Sequence, residues 1–215
     1  RLGTPEPGQV ESALNDSLSK SLKRMRLEQV DVFLLHSNII PDDYDASAYS
    51  DRPATRWATY IDGFRPACEK LVAQGRIGAW GITGIGIPDR IVAALQDSPR
   101  PGVVKCIANP IDSVGELQYF PGPTRAREII ADAKENGIGV MGIRAVQGGT
   151  FTGAVDRVLP DDHGVVADFK RATGFRALAS ELGQSAAALA HRYALSMDGV
   201  DTVVLGVKNR AELAE

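Results

Sequence analysis

The sequence predicts an α/β fold in which strands and helices alternate around a parallel sheet. Three observations lead to this class. Short apolar segments alternate with longer segments of helical periodicity along the whole chain. The links between segments are short, and each strand is followed by a helix, so that all units have one polarity. The apolar segments are continuous, which is typical of strands that are covered on both faces of a parallel sheet.

The first predicted helix spans residues 10–25 and has one apolar face. Its apolar residues recur every three or four positions, as the stripe of an amphipathic helix does: Val10, Leu14, Leu18, Leu22 and Met25. A short link leads to the first predicted strand, residues 30–36 (VDVFLLH). This strand therefore brings an ionisable group, His36, to the end of an apolar segment.

Four further strand–helix units follow in the same order. The predicted strands span residues 77–83, 102–109, 138–145 and 201–206. The predicted helices span residues 63–75, 87–98, 124–137, 174–183, 185–196 and 209–215. Gly75 and the pair Asn136-Gly137 are typical helix stop signals. Ser185 is a typical N-cap, because its hydroxyl can accept a hydrogen bond from a backbone N–H of the first turn.

Repeats of this kind fit either a doubly wound sheet or a TIM (β/α)8 barrel. No GxGxxG motif follows the first strand, and this absence favours the barrel. The chain would cover about five βα units of it, as a single domain over residues 1–215. Long loops over residues 37–60 and 148–164 follow strand ends. In TIM barrels the functional loops lie at those C-terminal strand ends.

Composition and charge exclude several classes of function. A net charge of −3 in 215 residues argues against a nucleic-acid surface. No apolar run is long enough to cross a bilayer, and no signal-peptide core opens the chain, so no membrane partner is expected. Cys68 and Cys106 form no CxxC pair, which favours a reducing, cytoplasmic setting. The three histidines are far apart in sequence, so no metal is expected.

Polar residues follow the predicted strands at their C-terminal ends, where a barrel carries its site. These residues are His36, Thr83, Lys105 to Asn109, Arg144 and the run Gly206-Val207-Lys208. Taken alone, His36 is equally well explained as a core histidine with a satisfied hydrogen bond. The common edge and the long loop that follows His36 favour a functional role.

Five segments of the chain resemble aldo-keto reductases, and they occur in that family's order. They are SLKRMRLEQVDVFLLHS, ACEKLVAQGRIGAWGITG, VVKCIANPID, AKENGIGVMGIRAVQGGTFTG and VDTVVLGVKNRAELAE. The resemblance implies a (β/α)8 barrel that reduces aldehydes or ketones with NAD(P)H. In its register the chain corresponds to strands four to eight and lacks the N-terminal strands. The Asp, Tyr and Lys of the family's catalytic tetrad belong to those missing strands.

The resemblance also assigns site residues. His36 would be the histidine of the tetrad and would hydrogen-bond the substrate's carbonyl oxygen. The cofactor-binding residues would be Thr83, Gly84, Lys105, Ile143, Arg144, Gly148, Gly149, Gly206, Val207, Lys208 and Glu212. Lys208 suits a 2′-phosphate, so NADP(H) is the expected cofactor and NAD(H) the alternative.

Several of these positions depart from the family's common residues. Thr83-Gly84 replaces Ser-Asn, Lys105 replaces glutamine, and Ile143 replaces a tyrosine that lies under the nicotinamide ring. Arg144 replaces a serine, and three roles are open to it: binding a pyrophosphate, binding a substrate acid, or pairing with a carboxylate of the chain.

The glycines after Arg144 also have two interpretations. Gly148, Gly149 and Gly153 suit a loop that approaches a phosphate closely, since glycine lets backbone N–H groups face an anion. An ordinary flexible loop is the alternative.

The expected function is an NAD(P)H-dependent oxidoreductase that reduces aldehydes or ketones to alcohols, or runs the reverse reaction. Its partner would be a small carbonyl or alcohol substrate. The alternative is a nonenzymatic nucleotide-binding barrel subunit, which the altered nicotinamide contacts favour. A third interpretation is an isomerase or lyase in which Lys105 forms a Schiff base.

Overall fold

The structure is a computed structural model that describes residues 5–45, 54–155, 157–207 and 209–214. Its α-helices are α1 Pro7–Met25, α2 Arg65–Ala73, α3 Pro88–Gln96, α4 Ala126–Glu135, α5 Gly164–Arg171, α6 Thr173–Glu181, α7 Ala186–Ser196 and α8 Arg210–Ala214. Its strands are β1 Val30–Leu34, β2 Asn38–Ile40, β3 Ala54–Arg56, β4 Ile77–Thr83, β5 Val103–Ile107, β6 Gly139–Ile143 and β7 Thr202–Val203.

Five strands form one parallel sheet in the order β1-β4-β5-β6-β7. All four strand pairings are parallel, and helices connect neighbouring strands, as parallel pairing requires. The predicted alternation of strands and helices is therefore confirmed. All strand C-termini lie along one edge of this sheet, called the C-terminal edge below.

One face of the sheet is covered by helices and holds the main core. The strands contribute Trp80, Ile82, Val104, Cys106 and Val140, and Leu35 follows the end of β1. The helices contribute Leu18, Leu71, Ile91 and Ile129. Trp80 is a core residue, as its strand position predicts. Both cysteines are free and buried.

The residues that alternate with this core point to the opposite face. Strand register places Thr83 beside Lys105, and Lys105 beside Met141. Val32 and Val103 lie on the same face and are partly exposed, as are Lys105 and Met141. Residues on this face that follow the strands reach the C-terminal edge.

The structure differs from the sequence prediction in the first long loop and in the last strand. The segment predicted as a loop over residues 37–60 contains β2 and β3, which pair in parallel, and the start of a π-helix, Thr59–Phe64. Each of these strands has three residues, too few to show a period in the sequence. The last strand is also shorter than predicted, with two residues.

Helix α5 was not predicted, although it begins at the end of the second long loop. Its buried residues are Val165 and Asp168. The helix has only eight residues, so its periodic pattern is short in the sequence. His163 is half-buried and caps this helix. Its side chain accepts a hydrogen bond from the backbone N of Val165.

The N-cap predicted at Ser185 is confirmed, because its hydroxyl accepts from the backbone N of Ala188. None of the helices in the described ranges is both long enough and apolar enough to cross a bilayer.

Candidate active site

His36 lies two residues after the end of β1 and is positioned through the residue before it, Leu35. The backbone N of Leu35 donates to the carbonyl oxygen of Gly81 at 2.9 Å. The hydroxyl of Thr83 donates to the carbonyl oxygen of Leu35 at 2.8 Å. Leu35 is buried in the main core, whereas His36 is exposed. Leu35, which precedes His36, is therefore bound to β4 through both its backbone N–H and its carbonyl oxygen.

The hydroxyl of Thr83 is expected to contribute to stability through this bond. Thr83→Val keeps the shape of the side chain and removes the donor, leaving the Leu35 carbonyl without it. We expect the free energy of unfolding to fall by about 1–2 kcal/mol, measured by urea denaturation. Thr83→Ser keeps the hydroxyl and is the matched control. Equal stability of the valine variant and the native protein would contradict the assignment.

Lys105 lies in the middle of the opposite face, next to Thr83 in register. Burial lowers the pKa of its ammonium group. The backbone N of Gly84 donates to the Lys105 carbonyl at 2.7 Å. A Cβ atom at Gly84 would lie 2.8 Å from that carbonyl oxygen and 2.9 Å from Cys106 Sγ. Close packing against β5 therefore accounts for glycine at a position where the family often has asparagine.

Arg144 follows β6 and has a left-handed backbone, with φ of 60°. Its guanidinium donates to both carboxylate oxygens of Glu116, each at 3.0 Å. Its Nε donates to Gln147 Oε1 at 2.6 Å. Asn109 Nδ2 donates to the Arg144 carbonyl at 3.3 Å. Of the three roles considered from sequence, pairing with a carboxylate is the one present in this structure. The preceding Ile143 is half-buried.

A buried polar network around Asp168 holds Gln147, which accepts a hydrogen bond from Arg144. Asp168 accepts from Ser113 Oγ at 2.5 Å and from Gln147 Nε2 at 3.0 Å. Its second oxygen accepts from Arg171 at 3.1 Å. Asp168 is 4% exposed and Gln147 is fully buried. The network joins the segment after β5, the segment after β6 and helix α5.

Gly148 and Gly149 lie in the loop that this network holds. Their φ angles are 60° and 101°, a region that side chains disfavour. A Cβ atom at Gly148 would lie 3.2 Å from Arg144 Nη2 and 3.5 Å from Arg157 Nη2. The loop therefore brings glycine backbone next to two cationic side chains.

Two more of the predicted cofactor residues lie just after the strand at the other edge of the sheet. Gly206 and Val207 follow β7 and are exposed, while β1, which precedes His36, forms the opposite edge. Glu212 is on the short helix α8, and its backbone N donates to Asn209 Oδ1 at 3.0 Å. Lys208 lies outside the described residues. Sheet order does not bring Gly206 and Val207 next to His36.

Sequence reasoning missed the residues that surround Arg144. They are Ser113, Glu116, Gln147 and Asp168, which come from segments far apart in the chain. No spacing pattern in the sequence relates these residues, and the burial of Asp168 is visible only in the structure. Among the described residues, no group of three or more His, Cys, Asp or Glu is arranged to hold a metal ion.

The sequence matches a known protein family over nearly its whole length. The sequence model of the Aldo/keto reductase family matches residues 3–215. The chain belongs to this family. Its five-stranded sheet is thus part of the barrel fold of the aldo-keto reductases. No curated protein matches the chain.

Solved aldo-keto reductases have a similar fold. A glycerol dehydrogenase from Gluconobacter oxydans superposes with a TM-score of 0.63 at 18% identity, over 95% of this chain and 57% of that one. The holo form of an aldo-keto reductase from Bacillus halodurans gives 0.62 at 20% identity, over 98% and 61%. An aldo-keto reductase from a Medee basin deep-sea metagenome gives 0.57 at 13%, over 96% and 58%.

At these identities the likeness establishes the fold alone. The chain spans between 57% and 61% of the length of these three structures.

Proposed function

We propose that this protein is an NAD(P)H-dependent oxidoreductase that reduces aldehydes or ketones to alcohols, or catalyses the reverse reaction. The observation that carries the proposal is the position of His36 at the C-terminal edge in a member of the aldo/keto reductase family. Within that family the chain corresponds to strands four to eight of a (β/α)8 barrel, in one domain over residues 1–215.

His36 acts on the carbonyl oxygen of the substrate. A neutral imidazole donates a hydrogen bond from one ring nitrogen, which orients the carbonyl and stabilises the negative charge that develops on its oxygen. The two hydrogen bonds around Leu35 hold the His36 backbone so that the imidazole stays at this edge. The proton donor is not assigned to this chain.

The loop after β6 fits the phosphates of a nicotinamide nucleotide. Gly148 and Gly149 leave the space that side chains would fill, and the guanidiniums of Arg144 and Arg157 lie close to Gly148. Gly206, Val207, Lys208 and Glu212 would hold the adenosine end, and Lys208 favours NADP(H). When bound, the nucleotide supplies the hydride. Thr83, Gly84, Lys105 and Ile143 would border its nicotinamide end.

Two separate measurements on the full-length protein test the proposal. Binding of NADPH and of NADH is measured by fluorescence titration, and turnover by loss of NADPH absorbance with a panel of short aldehydes and ketones. Binding together with turnover supports the reductase. Tight binding without turnover on any carbonyl favours the nonenzymatic nucleotide-binding subunit. Absence of binding rejects both.

A second candidate function rests on Lys105. Burial lowers the pKa of its ammonium, and a neutral amine can attack a carbonyl to form a Schiff base. In that case, incubation with a carbonyl compound and borohydride adds the reduced adduct's mass to the peptide with Lys105. Lys105→Arg is the control that cannot form the adduct. No added mass with any carbonyl of the panel rejects this function.

We also infer a reducing, cytoplasmic setting for the protein. Cys68 and Cys106 are free and buried, and burial raises the pKa of the Cys106 thiol to about 12. Both therefore behave as packing residues, and neither needs an oxidising compartment.

A further inference from the structure

The carboxylate of Glu116 is bound by the guanidinium of Arg144. It lies beside the loop after β6 that contains Gly148 and Gly149, called the glycine loop below. Both of its oxygens accept hydrogen bonds from Arg144 at 3.0 Å. Such two-oxygen pairs have the geometry in which a guanidinium also binds a phosphate. The Arg144 side chain is 16% exposed and that of Glu116 is 29% exposed. The pair is thus partly shielded from water but reachable by a ligand.

A second cation, Arg157, reaches the same place. Its Nη1 donates to the Gly148 carbonyl at 3.3 Å, and its Nη2 would lie 3.5 Å from a Gly148 Cβ atom, near Arg144 Nη2. Burial alone would raise the pKa of Glu116, but the hydrogen bond and charge of Arg144, with the charge of Arg157, lower it below its usual value. Glu116 is therefore an anion held beside two arginines.

Of the two partners in the pair, Arg144 is the fixed one. Its Nε is bound to Gln147, which is itself held by the buried Asp168. Its carbonyl accepts from Asn109. Glu116, in contrast, lies in the short 3-10 turn Gly115–Leu117. Rotation about its own side-chain bonds is enough to move the carboxylate into solvent, while Arg144 stays in place.

We propose that Glu116 is an internal competitor, whose carboxylate occupies an anion site formed by Arg144 and Arg157 until a phosphate group of a ligand replaces it. This inference rests on the proposed function, since the cofactor is the ligand whose phosphates would reach the glycine loop. The same guanidinium donors cannot serve the carboxylate and a phosphate together, and two anions side by side repel each other. Glu116 therefore lowers the affinity for the cofactor.

The test is Glu116→Gln in the full-length protein. Glutamine keeps the length of the side chain and removes its charge. We expect NADPH to bind on the order of tenfold more tightly, which corresponds to about 1.4 kcal/mol. The affinity for inorganic pyrophosphate should also increase. It is measured by competition with NADPH and by calorimetry. If Glu116 only positioned Arg144, the affinity would change in the opposite direction. Loss of the carboxylate would then weaken the binding of both NADPH and pyrophosphate.

Glu128→Gln is the matched control. Glu128 also accepts hydrogen bonds through both oxygens from an arginine, Arg125, but it lies on α4 outside the glycine loop. NADPH affinity should not change in this variant. Glu116→Ala removes the carboxylate in a second way, and thermal melts of all variants identify any that fail to fold.

The outcomes separate the two proposals. Tighter NADPH binding by Glu116→Gln and Glu116→Ala supports the internal competitor. Equal or weaker binding by variants that fold overturns it and leaves the proposed function intact. If the native protein binds no NADPH, the proposed function fails, and pyrophosphate calorimetry decides: tighter binding by Glu116→Gln supports the anion site, and any other result rejects it.

Discussion

Replacing His36 with alanine should lower kcat/KM for carbonyl reduction by about 10²–10³-fold, the usual effect of removing one donor to a developing oxyanion. The donor acts on the substrate oxygen, so the loss should fall on the chemical step. NADPH affinity should stay within about twofold of the native value, because the loop with Gly148 and Gly149 follows β6, away from β1. Steady-state kinetics at saturating NADPH and a separate fluorescence titration measure the two effects.

The control for this variant is another histidine with a known structural task. His163 accepts a hydrogen bond from the backbone N of Val165 at the start of α5. His163→Asn keeps a good N-cap, so both stability and turnover should remain close to native. Native-like turnover by a folded His36→Ala variant would show that the imidazole takes no part in the reaction. A matching loss of NADPH affinity would indicate a binding role instead.

The strands and their order of connection were accessible from the sequence because they depend on local patterns. Continuous apolar runs around Phe33, Trp80 and Val104 identify buried strands, and these residues do pack beneath the helices. Short links between strands and helices then predict a parallel sheet, and the structure has one. Short elements, such as the eight-residue helix α5 and the three-residue strands β2 and β3, left no comparable signal.

The candidate site was only partly accessible for the same reason. Thr83 ends β4, and His36 lies two residues after the end of β1. Their common edge therefore follows from the topology. Glu116 and Asp168 meet Arg144 and Gln147 through loops that approach only in the folded chain. No rule of spacing relates such positions. The sequence therefore predicted that Arg144 needs an anion and left open which anion it binds.

Departures from the family's residues also have physical causes that sequence comparison alone does not provide. A side chain at Gly84 would collide with the carbonyl of Lys105, so the family's asparagine would not fit this packing. Thr83 keeps a hydroxyl, and that hydroxyl donates to the Leu35 carbonyl. These positions are adapted to the close contact of β4 with its two neighbours.

Asp168→Ala is expected to have the largest effect on stability of the substitutions around the site. The carboxylate is 4% exposed and accepts from Ser113, Gln147 and Arg171. Its removal leaves the fully buried amide of Gln147 without this acceptor, and buried donors without partners are costly. We expect the free energy of unfolding to fall by about 3 kcal/mol, as for other disrupted buried charge networks. Urea denaturation measures this change.

The same substitution should weaken NADPH binding, because Gln147 anchors Arg144 and immediately precedes Gly148. Asp168→Asn keeps one carbonyl acceptor and the side-chain volume, so both losses should be smaller than in the alanine variant. Asp198→Ala is the matched control: its carboxylate is exposed and pairs with Lys134, and exposed pairs contribute little. If Asp168→Ala were as stable as Asp198→Ala, the network would not hold the loop. If it lost stability but bound NADPH with native affinity, the network would stabilise the fold without shaping the nucleotide site.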